Sequence, residues 1–178
     1  MKLKRSFYLR PTLKVAQDLI GKFLVHQCGG RLYQAEITET EAYAGFDDKA
    51  CHGSRGKTKR NEVMFRQGGF AYVYLIYGIY HCLNLVTEKE NYPSAVLIRA
   101  LDYPGADGPG KLCRAFQITK ETHNGLDLTG NILWVEGRGL KPKYEAAKRI
   151  GVDYAGECAD WPWRFKKVYP ERSRRVDF

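Results

Sequence analysis

The chain reads as an α+β protein: one domain over residues 1–178, built on a mostly antiparallel, curved β-sheet with surrounding helices. Three observations predict this. Two β-rich stretches turn back on themselves at Gly29-Gly30 and Tyr77-Gly78, which are hairpin signals. The segments with helical spacing stand apart from the strands rather than alternating with them, which argues against a parallel βαβ sheet. A length of 178 residues with no repeat and no linker suits one domain with a sizeable core.

Taken in order, Pro11 to Ile20 is expected to be helical, because Val15, Ala16, Leu19 and Ile20 recur at helical spacing and Gly21 is placed to end it. Lys22 to Cys28 and Arg31 to about Glu41 are the arms of the first hairpin. Phe46 to Asn61 is polar, basic and glycine-containing, so a long surface loop is expected. Ala71–Ile76 and Ile79–Val86 form the second hairpin, and Ala95–Leu101 is a further strand. Tyr103–Gly110 is a Pro/Gly loop. Lys111–Gln117 reads as a helix, and Asn131–Glu136 as a strand. Lys143–Ile150 reads as a helix, with Pro142 at its start and Gly151 at its end. A last strand is expected near Arg164–Val168.

Composition narrows the function. Lys and Arg total 29 against 20 Asp and Glu, a formal charge of +9, which fits a polyanionic partner, nucleic acid first. The plainer alternative is a basic soluble protein. No apolar run is long enough to span a bilayer, so no membrane association is expected. No apolar stretch follows the basic opening Met1–Arg5, so no signal peptide is expected and the cytoplasm is the expected location. Five scattered cysteines fit reduced thiols there better than a disulfide framework.

Glu41 is the most informative residue. On a strand, Tyr33, Ala35, Ile37, Glu39, Glu41 and Tyr43 share one face, which begins apolar and ends in carboxylates. An acid at the end of a core-facing row is costly unless it is used. Arg99, between Leu97 and Leu101 on one strand face, is a cation drawn inward to meet it; the alternative is a structural Glu–Arg pair. Tyr72, Tyr74, Tyr77 and Tyr80 fall in one hairpin. Ordinary packing suits Tyr72 and Tyr80, whereas Tyr77 sits at the tip, where an aromatic ring can stack on or wedge between bases. The loop Cys51–Arg60 carries Arg55, Lys57, Lys59 and Arg60 among glycines, as phosphate contacts require; a solvated loop is the alternative. His52 taken alone reads as a surface histidine. Zinc-ligand spacing, the zinc-deaminase signature, a complete phosphate loop and a nucleophile elbow are all missing.

Five stretches in order resemble the alkyladenine (3-methyladenine) DNA glycosylase family, in its bacterial form. They are Glu39-Thr40-Glu41-Ala42-Tyr43; Ala50-Cys51-His52 through Arg60-Asn61 and Met64-Phe65; Tyr72-Val73-Tyr74 through Tyr77-Gly78 to Asn84; Val96 to Leu101; and Gly108 to Cys113. The resemblance implies a monofunctional glycosylase of base excision repair that flips alkylated or deaminated purines out of double-stranded DNA. It implies Glu41 as the general base for water, assisted by Arg99 and backbone near Ile150. Tyr43, His52 and Tyr74 become pocket walls, Asn84 a screen against guanine, and Tyr77 the filler of the emptied duplex position. No metal and no redox cofactor are implied, and a monomer is expected. Ala44, Phe46 and Lys59 depart from the family pattern beside the pocket, which bears on lesion preference. Two rivals remain at this point: a non-enzymatic nucleic-acid-binding module, and a metal nuclease using Glu39, Glu41, Asp47 and Asp48.

Overall fold

The computed structural model describes residues 1–169; residues 170–178 of the expected domain lie outside the described residues. Two short helices, α1 (Arg5–Tyr8) and α2 (Thr12–Leu19), lead into β1 (Phe23–Cys28) and β2 (Arg31–Ala44). The strands β3 (Ala71–Ile76), β4 (Tyr80–Val86) and β5 (Ser94–Leu101) follow, then α3 (Pro109–Ala115) and α4 (Lys120–His123). The chain closes with β6 (Leu133–Glu136), β7 (Tyr144–Ala147) and β8 (Arg164–Lys167). The strands run in the order β3-β4-β5-β2-β1-β6, with β8 joining β2 to β7, and every ladder is antiparallel. This is the α+β class expected from the sequence.

Both hairpins turn where glycine permits. Gly29 and Gly30 take φ of 55° and 76°, and Tyr77 and Gly78 take 52° and 69°, the left-handed pair that a two-residue turn needs. Glycine adopts this at no steric cost, whereas Tyr77 adopts it with strain.

The central feature is a bend in β2. Residues 31–36 pair with β1, while residues 37–44 pair with β5. Two register shifts separate Ile37↔Leu101 from Thr40↔Ile98. They leave Thr38 on β2 and Arg99 on β5 without a cross-strand partner in that ladder, as bulged residues are. A bulge reverses the side-chain alternation beyond it. Tyr33, Ala35 and Ile37 therefore join the main core, but so does Ala42, and Thr40 donates its hydroxyl to Ala16 O of α2 at 2.9 Å. Likewise Val96, Ile98 and Leu101 face that core, while Leu97 and Arg99 face the other side. The expected single row from Tyr33 to Tyr43, and the row Leu97–Arg99–Leu101, are thus each broken at the bulge. Glu41 is buried on the face opposite the main core.

Three further expectations are corrected. The segment Lys143–Ile150 is not a helix: its centre is β7, paired with β8 in the register Tyr144↔Lys167 to Ala147↔Arg164. Its Ala, Glu and Lys residues favour a helix locally, but the ladder overrides so weak a preference. The Phe46–Asn61 loop is irregular but not a surface loop throughout, since Asp48, Ala50, Cys51 and Asn61 are buried. Tyr80 is exposed rather than packed.

Candidate active site

Glu41 has no exposed surface, and its carboxylate is held from three directions. Oε1 accepts the Ile150 backbone N–H at 2.8 Å, and Oε2 accepts the Tyr43 hydroxyl at 2.8 Å. Arg99 Nη1 donates to Oε2 at 3.4 Å, a longer contact. The β7 strand explains the first bond. In a helix, the Ile150 N–H would be spent on the carbonyl four residues earlier; in the bend that follows β7 it is free for Glu41.

Burial raises the pKa of Glu41 above the ordinary carboxylate value, opposed by Arg99, the Ile150 N–H, the Tyr43 hydroxyl and Arg164. Burial, Glu41 and Tyr74 raise Tyr43 in turn, so its hydroxyl keeps its proton and acts as donor. The outcome is a carboxylate more basic than usual, with cation and N–H support for its charged form.

A cavity of about 430 Å³ opens on this face of the sheet. Tyr43, Arg99 and Ile150, the three groups bonded to Glu41, line it, whereas Glu41 itself lies one layer behind the wall. His52 and Tyr74 meet edge to face with ring centroids 4.6 Å apart, and Tyr72 lies 5.4 Å from Tyr74. Tyr72 is buried, as expected, and its hydroxyl bonds His52 Nδ1 at 3.1 Å. Desolvation, then the charge of Arg60, lowers the His52 pKa, so the ring is neutral at neutral pH. Asn84 donates Nδ2 to Tyr72 O at 3.2 Å and to Cys82 O at 3.4 Å. Its Oδ1 makes no protein hydrogen bond among the described residues. A planar, electron-poor ring would find aromatic faces and one amide oxygen here.

The structure thus gathers Glu41, Arg99, Tyr43, His52, Tyr74, Asn84 and Ile150 at one cavity. Tyr77 stands at its rim on the hairpin tip and is 90% exposed. Of the four basic loop residues, Arg60 lines the cavity, while Arg55, Lys57 and Lys59 are exposed on the same loop outside it. His52 is exposed, as the surface histidine that it suggests alone, and it also lines the cavity. The four acids of the nuclease alternative are not gathered as a cluster. Asp48 is bonded to Arg149, and Glu39 and Glu41 are bonded to Arg99.

Sequence reasoning missed the pair beside this site. Arg149 donates Nη1 to Asp48 Oδ2 at 2.6 Å and Nη2 to Asp48 Oδ1 at 2.8 Å, and both side chains are fully buried. The same guanidinium reaches Ala42 O and Cys158 O, each at 2.9 Å, and lies over the rings of Tyr43 and Trp163. It ties β2, the Asp48 loop and the chain after β7 together, and so fixes where Ile150 meets Glu41. An acid and a base 101 residues apart gave no local signal.

The methylpurine-DNA glycosylase family model matches residues 6–169. The chain belongs to that family. It is a DNA glycosylase, a hydrolase of N-glycosyl bonds in DNA repair. Among similar proteins, one from Methanocella arvoryzae is 53% identical, the match covering 92% of this chain and 90% of the relative. One from an Anaeromyxobacter species is 52% identical, covering 93% and 88%. One from Alkaliphilus oremlandii is 45% identical, covering 93% and 95%. Each of the three is named "Putative 3-methyladenine DNA glycosylase". As in any DNA glycosylase, the substrate is DNA. No helix among the described residues is long and apolar enough to cross a membrane.

Proposed function

We propose that the protein excises 3-methyladenine and related alkylated or deaminated purines from double-stranded DNA, working as a monomer and as one domain over residues 1–178. The reading rests on one observation: a buried carboxylate whose three donors form the wall of an aromatic cavity. A base inside a duplex cannot reach such a carboxylate, so the damaged nucleotide is flipped out. Tyr77 fills the gap it leaves. Arg55, Lys57, Lys59 and Arg60 hold phosphates, which supply affinity without sequence preference.

Stacking between Tyr43, His52 and Tyr74 returns about 1–3 kcal/mol for the everted base. An alkylated purine carries positive charge, which aromatic faces attract. The same charge makes it a good leaving group. Asn84 screens the purine edge and disfavours undamaged guanine. The Arg99–Glu41 contact is the loosest of the three, so water enters there, beside Oε2. Glu41 takes a proton from that water as the C–N bond breaks, the oxygen bonds to the anomeric carbon, and the purine leaves with the bond electrons. A positioned base of this kind contributes about 10²–10⁴-fold to rate.

The test is release of free base from methylated duplex DNA in the presence of a chelator. Free purine with an intact strand supports the reading. Strand breaks that vanish with chelator would point to a nuclease, and binding without either product to a non-enzymatic module.

A further inference from the structure

Glu39 lies two residues before Glu41 and faces the same arginine. Arg99 gives Glu39 its Nε edge at 3.1 Å, and gives Glu41 only the Nη1 end at 3.4 Å. Arg164, the cross-strand partner of Glu41 on β8, also turns to Glu39: its Nη1 reaches the same Oε1 at 3.1 Å. Arg164 Nε is anchored on Lys148 O at 2.7 Å. Both arginines therefore converge on Glu39 Oε1 with one contact each, and Glu39 is largely buried and does not line the cavity.

The edge of a guanidinium that carries Nε is one of its two-pronged faces toward carboxylates. Arg99 is the bulged residue of β5, so its direction is set by the bulge as well as by its partners. We propose that Glu39 is a positioning residue that draws Arg99 and Arg164 to itself, leaving Glu41 a single end-on contact from Arg99 and room for water beside Oε2. This rests on Glu41 being the base. A forked Arg99–Glu41 pair would close the water site and weaken the base. Glu39 prevents that pair from forming.

The charged and titratable groups around Glu41 are few and fixed. Tyr43 and Glu39 come from β2, Arg99 from β5, Arg164 from β8, Tyr74 from β3 and Cys82 from β4, with Arg149 beside the Ile150 N–H. Removing the negative charge of Glu39 frees Arg99 to pair with Glu41. Lost repulsion and gained attraction then act with one sign, both favouring ionised Glu41.

The experiment is a single-turnover pH profile of excision from a duplex bearing one N-methylated purine, with the full-length enzyme in excess. In Glu39→Gln the acid limb moves to lower pH by about one unit and the plateau rate falls, because the base is weaker. In Glu39→Asp, which keeps the charge, the limb returns toward wild type. In Arg164→Gln, which leaves Glu39 to Arg99 and removes a cation near Glu41, the limb moves to higher pH. A limb that stays in place or moves the other way in Glu39→Gln or Arg164→Gln overturns the proposal, and the partly exposed Arg164 decides if Glu39→Gln fails to fold. Failure of the underlying reading looks different: the wild type releases no purine, or Glu41→Gln releases it at the wild-type rate.

Discussion

Two carboxylate–arginine pairs flank the same cavity, and they are built in opposite ways. Asp48 and Arg149 meet through two bonds of 2.6 and 2.8 Å, and backbone N–H groups of Ala44 and Ala50 fill more of the Asp48 oxygens. Glu41 and Arg99 meet through one contact of 3.4 Å. Both acids are wholly buried. The first pair has its acceptor capacity filled by short bonds and acts as a clamp. The second keeps a carboxylate of raised pKa supported but not saturated. Burial alone does not distinguish the two acids; the difference lies in how much of the hydrogen-bonding capacity of each the protein has already used.

Breaking the clamp is expected to give the largest effect. Asp48→Asn leaves Arg149 buried without its counter-charge, which costs about 3–5 kcal/mol of stability. Denaturant unfolding reads the loss, and excision per folded molecule changes far less than in Glu41 variants. A sharper form compares lysine at the two arginines. Lysine lacks the fork, so Arg149→Lys is expected to destabilise strongly, while Arg99→Lys, which replaces one contact each to Glu39 and Glu41, is expected to lower the melting temperature less.

A third buried pair sets the pH behaviour apart. His26 and His123 share a bond of 2.9 Å between their Nε2 atoms, and burial lowers both pKa values from 6.5. At most one ring of the pair can be protonated in this geometry, since one Nε2 must accept. The unfolded chain therefore binds protons more readily, and stability falls as pH drops below about 6.5 toward the lowered native values. Glu41 has the reverse sign: its native pKa is raised, so its ionisation lowers stability as pH rises through that value. Thermal melts of wild type against His123→Gln across that range check the first, because the variant loses most of the acid sensitivity. The smallest effect belongs to the exposed loop. Lys57→Ala should weaken DNA binding for every sequence alike and reduce the salt slope by about 1.

Much of this was legible in the sequence, and the failures have physical causes. The two hairpins were readable because their turns require particular backbone angles at Gly29-Gly30 and Gly78. Glu41 was readable because an acid in an apolar strand needs a reason. Its face was not: the bulges at Thr38 and Arg99 reverse the alternation, and nothing local marks them. The stretch Lys143–Ile150 is rich in helix formers, yet pairing with β8 decided its state. The Asp48–Arg149 clamp and the Glu39–Arg99–Arg164 chain depend on contacts between residues far apart, so only the fold shows them.

The central claim is that the loosely held acid, not the clamped one, does the chemistry. Glu41→Gln tests it most directly, measured by single-turnover purine release, lesion-duplex binding and thermal melting on one preparation. The glutamine amide oxygen can still accept the Ile150 N–H while its NH2 donates to the Tyr43 hydroxyl, so the variant is expected to fold and to bind damaged DNA as the wild type does. Its excision rate is expected to fall by about 10²–10⁴-fold. A folded, DNA-binding Glu41→Gln protein that releases purine at the wild-type rate would contradict the account.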